Sequence, residues 1–344
     1  MQYNRLGDTG LVVSRLAFGA MTFGSAEGAL GAVHKVDQTL ASQLVAAALD
    51  AGINFFNTAD AYAGGESERM LAAALGVRRQ DVVITTKVGF RTGDALVHQG
   101  LSRHHVFASL EGSLRRLRTD YIDVYIVHRL DPFTPLEETL EALDDVVRQG
   151  KVRYVGFSNW PAWLAAKSVG LQMGRRWSPF RAAELYYSLV GRDVEHELTP
   201  LLEDSGIGML AWSPLAGGFL TGKYTRENPA GDGGRLTGFD IIPFDRERAY
   251  GLIDTMRQTA AAHHTNVAAV ALAWLLSKSA VASVLVGASK MSQLQENLQA
   301  ASIDLSAGEL DQLNQLTEPT PIYPNWFNRD IHDVPVRKAL ARQM

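Results

Sequence analysis

The sequence predicts an α/β fold, a (β/α)8 TIM barrel, and three observations predict it. Eight short apolar, β-branched runs alternate with longer segments of helical period, the sign of parallel strands joined by crossover helices. The count of eight and the even spacing of these units match a closed barrel. No G-x-G-x-x-G follows the first strand, which counts against the rival, an open doubly wound sheet.

Taken in order, an opening stretch reads as an N-terminal β-hairpin. The strand candidates are then Leu16–Ala20, Asn54–Ala59, Val82–Val88, Ile122–His128, Val152–Phe157, Ala182–Tyr186, Gly208–Ser213 and Val281–Gly287. Between them, Val106, Leu110, Leu114 and Leu117 of Ser102–Thr119 fall on one helical face. Thr134-Pro135-Leu136-Glu137 reads as a capping box with proline at the first helical position. Leu136, Leu140, Leu143 and Val147 continue it as an apolar stripe, and Gly150 ends it. Trp160-Pro161 opens a further helix by the same proline logic. All these leucines are expected in the core.

After the seventh strand a long glycine-rich loop, Gly217 to Gly238, interrupts the repeat; it is too polar for core and long enough to bind something. A C-terminal tail, residues 317–344, is rich in proline and aromatics and is expected over or beside the barrel mouth. Residues 1–344 show no linker or low-complexity segment, so one domain is expected.

Composition narrows the function. The hydrophobic fraction of 46% suits a globular core, and the formal charge of −4 gives no basic footprint for nucleic acid. With no cysteine, disulfides and thiol chemistry are excluded. The first residues lack the blocks of a signal peptide and no apolar run reaches spanning length, so a cytoplasmic protein without a membrane partner is expected.

In this barrel class active sites form at the C-terminal ends of the strands. Strand two ends near Asn57 and Tyr62, strand three in Lys87, and strand four in His128. A lysine or histidine closing an apolar strand must face the mouth or find a partner, because an unpaired buried charge is costly. Tyrosine, lysine and histidine at three adjacent strand ends suit acid-base work on a carbonyl: an ammonium is expected to lower the tyrosine's pKa, and a histidine can orient the substrate oxygen. The trio includes neither a nucleophile nor a metal shell, which fits reduction better than hydrolysis.

The loops after strands seven and eight are the usual phosphate site of the fold. Here they read Trp212 to Lys223, and Gly287-Ala288-Ser289-Lys290 opening a helix. Glycines admit close backbone approach and a helix N-terminus offers free N–H groups to an anion. Lys290 in a first helical turn is disfavoured by the dipole, so a bound phosphate would explain it. Gly217 to Lys223 has P-loop spacing, but Tyr224 stands where the magnesium-binding hydroxyl is required, and a triphosphatase is rejected. The pairs His104-His105 and His263-His264 lack metal spacing and are expected on the surface; no metal is expected.

These residues resemble the aldo-keto reductases over most of the chain. Arg5-Leu6-Gly7, Asn57 to Tyr62, Thr85-Thr86-Lys87, Val127-His128-Arg129, Gly156 to Asn159, Trp212 to Leu215 and Gly287 to Asn297 carry the likeness, in that order. The resemblance implies reduction of an aldehyde or ketone, reversible to the alcohol, with NADPH in preference to NADH. It implies Tyr62 as proton donor, Lys87 as its pKa modulator and His128 as the group orienting the substrate, with Asn57 as fourth member of the catalytic set. Ser158, Asn159 and Glu184 would face the nicotinamide and Trp212 would stack on it. Ser213, Pro214, Leu215, Gly217 and Lys223 would line the pyrophosphate, and Gly287, Ser289, Lys290, Gln293, Glu296 and Asn297 the adenosine end. Ala20 and Met21 complete the cofactor set; Phe23, Phe90, Trp160 and Trp326 are candidate substrate walls.

Two positions depart from the family pattern. Asn57 stands where the family has an aspartate, and Glu184 where it usually has glutamine. Asp60 cannot substitute for the former, since an odd shift on a strand faces the other way; it is expected to cap or pair locally. Without a carboxylate at 57 the ammonium is less compensated, so Lys87 is expected to titrate lower. A second reading is a cofactor-binding sensory or regulatory module resembling potassium-channel β subunits. A barrel isomerase or lyase, the third, leaves Trp212 and Ser289 to Asn297 unexplained. Which carbonyl is reduced and the oligomeric state are not legible.

Overall fold

In the computed structural model, which describes residues 1–26, 31–231, 234–329 and 333–340, the strand candidates close into a barrel. They are β1 (Leu16–Gly19), β2 (Phe55–Asn57), β3 (Val83–Val88), β4 (Ile122–Val127), β5 (Val152–Ser158), β6 (Phe180–Tyr186), β7 (Gly208–Trp212) and β8 (Val281–Gly287). Neighbours run in sequence order and every pair is parallel, with β8 returning to β1 through Val284 beside Leu16 and Gly287 beside Gly19. The chain is therefore a (β/α)8 barrel.

β2 stops at Asn57, two residues short of its expected end, where its ladders with β1 and β3 end and the chain turns towards the 3-10 turn Tyr62–Gly65. In β5, Gly156 is required by the neighbouring strand. A Cβ there would lie 2.4 Å from the carbonyl oxygen of Ala182 on β6.

The hairpin forms between Tyr3–Arg5 and Val12–Ser14. Its Leu6 and Val13 are fully buried and cluster with Ala17, Phe55, Val83, Val124, Ala182 and Leu210 inside the barrel. The opposite strand faces belong to a larger shell under the helices, where Val106 and Leu110 meet Leu140, Leu143, Tyr125 and Phe157. Alternation along each strand thus separates an inner from an outer core. Stepping by two from the inner layer also leads to the polar strand ends: Phe55 to Asn57, Val83 to Lys87, Ala182 to Glu184 and Leu210 to Trp212.

Some local expectations are corrected. The capping box at Thr134 does not form: Pro135 itself precedes the helix Leu136–Arg148 without a side-chain cap, and Thr134 Oγ1 donates instead to Asp131 at 2.6 Å. His105 is buried, not on the surface, because the helix Arg103–Leu117 turns it inward. His263 is also engaged, 2.9 Å from Glu309. The loop after β7 has an apolar underside, with Phe219, Leu220, Tyr224 and Leu236 buried. Positions 232 and 233 of that loop, and 330–332 and 341–344 of the tail, lie outside the described residues.

The tail is fastened beside the barrel: Arg192 Nη1 donates to Thr317 and to the carbonyl of Asn314, Arg248 donates to the carbonyls of Leu316 and Glu318, and Asn325 Nδ2 donates to the carbonyl of His196. No helix among the described residues is long and apolar enough to cross a membrane.

Candidate active site

Barrel closure gathers the polar strand ends into one cluster. Lys87, with no exposed surface, directs Nζ to Asn57 Oδ1 (2.8 Å), the Thr58 carbonyl (3.0 Å) and the Tyr62 hydroxyl (3.0 Å). Across the barrel, Glu184 Oε1 is 3.1 Å from the same Nζ, and Asn57 Nδ2 donates to Glu184 Oε2 at 2.7 Å. His128 stands edge-on to Tyr62 with ring centroids 5.7 Å apart, and Phe90 packs edge-on to His128 at 4.6 Å. Tyr62 and His128 are half-buried, at the mouth, whereas Lys87 and Glu184 lie beneath them.

Tyr62 is presented by a braced turn. Ala63 and Gly64 adopt left-handed backbone, and Gly65 leads into the helix Glu66–Leu75. Ser67 in that helix bonds the Thr58 hydroxyl at 2.9 Å and donates to the Ala20 carbonyl at 2.7 Å, tying the turn to the ends of β2 and β1. Behind it Glu68 accepts from Thr86 and Arg116. Asp60 is buried as well; its side-chain partner is Ser109 on another helix, at 2.5 Å, in addition to the local backbone of Ala61.

The charges differ from the expected ones. Burial acts to lower Lys87, but Glu184 and Tyr62 more than offset it, so its pKa lies above the ordinary lysine value rather than below. Burial raises the Tyr62 phenol and Glu184 adds to the rise; Lys87 opposes both without reversing them, so the expected net lowering is also corrected. A raised phenol is protonated at neutral pH and is still far more acidic than an alcohol, so it can protonate a developing alkoxide. Burial, with the Lys87 and Arg129 charges, holds His128 well below its ordinary value, so the imidazole is neutral. Its Nδ1 is buried with no hydrogen-bond partner among the described residues.

The β5 and β7 ends form one unit. Ser158 Oγ donates to the Glu184 carbonyl at 2.7 Å, and Asn159 Nδ2 donates to Ser158 Oγ at 2.8 Å and to the His128 carbonyl at 3.2 Å. Trp212 Nε1 donates to Asn159 Oδ1 at 3.0 Å, and the Trp212 ring lies 5.3 Å from that of Tyr186. Asn159, Ser213 and Ala216 all have positive φ, of 57°, 50° and 47°, a costly conformation that persists where surrounding contacts enforce it. Gly217 follows at φ 67°, where a Cβ would meet Leu236 at 2.5 Å, and its N–H is held by Ser213 Oγ at 3.1 Å.

At the end of β8, Lys290 caps the helix Met291–Leu298 from extended backbone rather than sitting in its first turn. Gln293 Oε1 accepts from the N–H and hydroxyl of Ser289, and Asn297 Nδ2 donates to the Gly287 carbonyl. Glu296 is exposed on the same helix.

A dinucleotide with phosphates fits what stands here. Burial lowers the Lys223 pKa, the nearby Lys35 and Lys290 charges add to the effect, and among the described residues none of the three is ion-paired. Arg235 is the largest omission of the sequence reading. It lies in the long loop, close enough to Tyr62 for their charges to interact, and its Nε is buried with no partner among the described residues. Its other contacts are the Met21 sulfur at 3.9 Å and the Phe239 ring at 5.1 Å. Neither Arg235 nor Lys35 carried a signal in the sequence: Arg235 sits in the long glycine-rich loop, and Lys35 in a two-residue strand, Lys35–Val36, paired with Gly24–Ser25.

The substrate walls are partly corrected. Phe90 is at the mouth, beside His128. Phe23 is fully buried against Phe18, at 5.6 Å, and Trp160 is 2% exposed between Phe157 and Phe180; both are core residues. Trp326 is 53% exposed in the short helix Asn325–Arg329, beside Tyr323 and Phe327, and among the described residues it has no ring contact with Phe90 or His128.

The family model described as "Aldo/keto reductase family" matches residues 15–318. Among curated relatives, a probable voltage-gated potassium channel subunit beta of Oryza sativa subsp. japonica is 36% identical, over 93% of this chain and 98% of its own. An uncharacterized oxidoreductase of Bacillus subtilis is 35% identical over 92% of this chain and 96% of its own. A versiconal hemiacetal acetate reductase of Aspergillus parasiticus is 34% identical over 94% and 99%.

Proposed function

The chain belongs to the aldo/keto reductase family of oxidoreductases, and from that premise we propose that it reduces an aldehyde or ketone to the alcohol with NADPH. The observation that carries this reading is the Tyr62 hydroxyl 3.0 Å from the buried Lys87 ammonium, with a neutral His128 ring beside it at the open end of the barrel.

When bound, NADPH supplies the hydride that the carbonyl carbon takes up. The residues of this chain do the rest. His128 orients the substrate oxygen by a hydrogen bond, Tyr62 gives that oxygen its proton, and Lys87 stabilises the tyrosinate left behind, which solvent then reprotonates. Asn159 and Ser158 present amide and hydroxyl groups for a carboxamide, and Trp212, pinned by Asn159, offers a ring face. Ser213, Leu215, Gly217, Lys223 and Arg235 would hold the pyrophosphate, and Ser289, Lys290 and Asn297 the adenosine end. Phe90 would wall the substrate.

The rice and Arabidopsis relatives named as probable potassium channel β subunits favour a second reading, a cofactor-binding regulatory module. One experiment separates the two. NADPH is titrated into the purified protein by fluorescence, and absorbance is then followed with a panel of aldehydes and ketones, and of alcohols with NADP+. Binding with turnover supports the reductase, binding with no turnover supports the regulatory module, and absence of binding defeats both.

A further inference from the structure

We propose that Glu184 is a positioning residue for the reaction: from the wall of the barrel opposite Lys87 it supplies the one carboxylate that keeps that lysine an ammonium beside Tyr62. This rests on the reading of Tyr62 as proton donor.

Three of the four groups around Lys87 Nζ are neutral: the Asn57 amide oxygen, the Thr58 carbonyl and the Tyr62 hydroxyl. Glu184 Oε1, at 3.1 Å, is the single anion. Lys87 has no exposed surface and Glu184 has 3%, so solvent cannot substitute for either partner. A buried ammonium without an anion loses its proton readily. Among the described residues, the other ionisable groups facing the cluster are His128, which is neutral, and Arg235 and Arg129, whose positive charges disfavour an ammonium nearby. None of these can do what Glu184 does.

Asn57 is matched to this arrangement. Its Nδ2 donates to Glu184 Oε2 at 2.7 Å while its Oδ1 accepts from Lys87. A carboxylate at position 57 would put two anions in that contact, and like charges so close cannot both stay ionised. Positions 57 and 184 therefore admit one carboxylate between them. Both Glu184 oxygens are engaged, one by Lys87 and one by Asn57, so its main task is electrostatic rather than recognition of a carboxamide.

The test is a cycle of Glu184→Gln, Asn57→Asp and the double variant. Glu184→Gln keeps the shape and removes the charge. We expect its kcat for carbonyl reduction to fall about tenfold or more, with the Kd for NADPH within about threefold of wild type. The basic limb of its pH profile should move to lower pH, because Lys87 loses its anion and Tyr62 loses the carboxylate that raised it. Asn57→Asp alone should also be impaired. The double variant, with the carboxylate moved to position 57, should recover most of the lost kcat and return the basic limb towards the wild-type position.

A Glu184→Gln enzyme with wild-type kcat and pH profile overturns the proposal. So does a double variant that binds NADPH yet is no more active than Glu184→Gln. The protonation of Lys87 is followed independently by 15N NMR of the wild-type protein, its signal assigned by loss in Lys87→Met. A neutral Lys87 near about pH 9 overturns the pairing even if the variants do not fold. If the wild type turns over no carbonyl, the reductase reading fails, while the NMR result still decides whether Glu184 holds the charge.

Discussion

Trp212 Nε1 donates to Asn159 Oδ1 at 3.0 Å, joining the ends of β7 and β5 above the Glu184 carbonyl. Asn159 holds a left-handed backbone to make this bond and uses its Nδ2 on Ser158 and His128. Asn159→Ala removes the amide and frees the indole together. The Kd for NADPH should rise about tenfold, the scale of one good hydrogen bond, with quenching of Trp212 fluorescence on binding much reduced. Unchanged affinity and quenching would place the nicotinamide elsewhere.

Tyr62→Phe keeps the ring beside His128 and removes the hydroxyl that Lys87 contacts. Carbonyl reduction should fall by about a hundredfold to ten-thousandfold, the usual worth of a positioned proton donor. NADPH affinity should be little affected, since the hydroxyl's partner is Lys87 and its proposed task is on the substrate oxygen. Steady-state kinetics with a fluorescence titration on the same sample check both. Full activity in the variant would remove Tyr62 from the mechanism.

His128 is held neutral by burial and by the Lys87 and Arg129 charges. A histidine with a depressed pKa takes up a proton only well below its ordinary range, so it should add no step to the rate between about pH 6 and pH 8. The kcat profile for reduction should be flat there. An acid limb centred near about pH 6.5 that disappears in His128→Asn would show that the imidazole titrates normally.

Lys290 is exposed at the N-terminus of the helix Met291–Leu298, with no ion pair among the described residues. If it meets the 2′-phosphate, Lys290→Met should weaken NADPH by about five- to tenfold and leave NADH unchanged. Raising the salt concentration should shrink the difference, because exposed charges are screened. Equal losses for both nucleotides would assign the lysine to another part of the cofactor.

Asp60 is buried with one carboxylate oxygen unpartnered among the described residues, and its pKa is pushed up to about 7, mainly by burial. The unfolded chain ionises it near the ordinary value of 3.8, so the folded state binds the proton more tightly. Its contribution is therefore favourable at low pH and is lost as pH rises from about 4 to about 7. Relative to Asp60→Asn, the wild type should lose on the order of 2–4 kcal/mol between pH 5 and pH 8. Chemical denaturation of both proteins across that range checks it; a constant difference would mean that Asp60 is ionised throughout.

The barrel was legible because its signals are local. A strand's β-branched run and a helix's apolar stripe depend on residues within a few positions, and eight alternating units leave few topologies. Tyr62, Lys87 and His128 were legible for the same reason: Lys87 and His128 stand at the ends of apolar strands, Tyr62 follows in the turn after one, and in a barrel strand ends converge. The walls were less so, because Trp160 and Phe90 look alike in sequence. One is sandwiched between Phe157 and Phe180, and the other stands at the opening beside His128.

Sequence by itself determined the fold and the arrival of Tyr62, Lys87 and His128 at neighbouring strand ends. Tertiary structure alone decided where the negative charge comes from. Position 57 reads as a lost carboxylate and position 184 as an unrelated substitution, and nothing in their spacing connects them. Closure of the barrel sets β6 across from β2 and β3, and the two side chains meet at 2.7 Å around Lys87. A Coulomb interaction acts through space and falls with distance, so chain separation carries no trace of it. The lysine expected to be undercompensated is in fact paired.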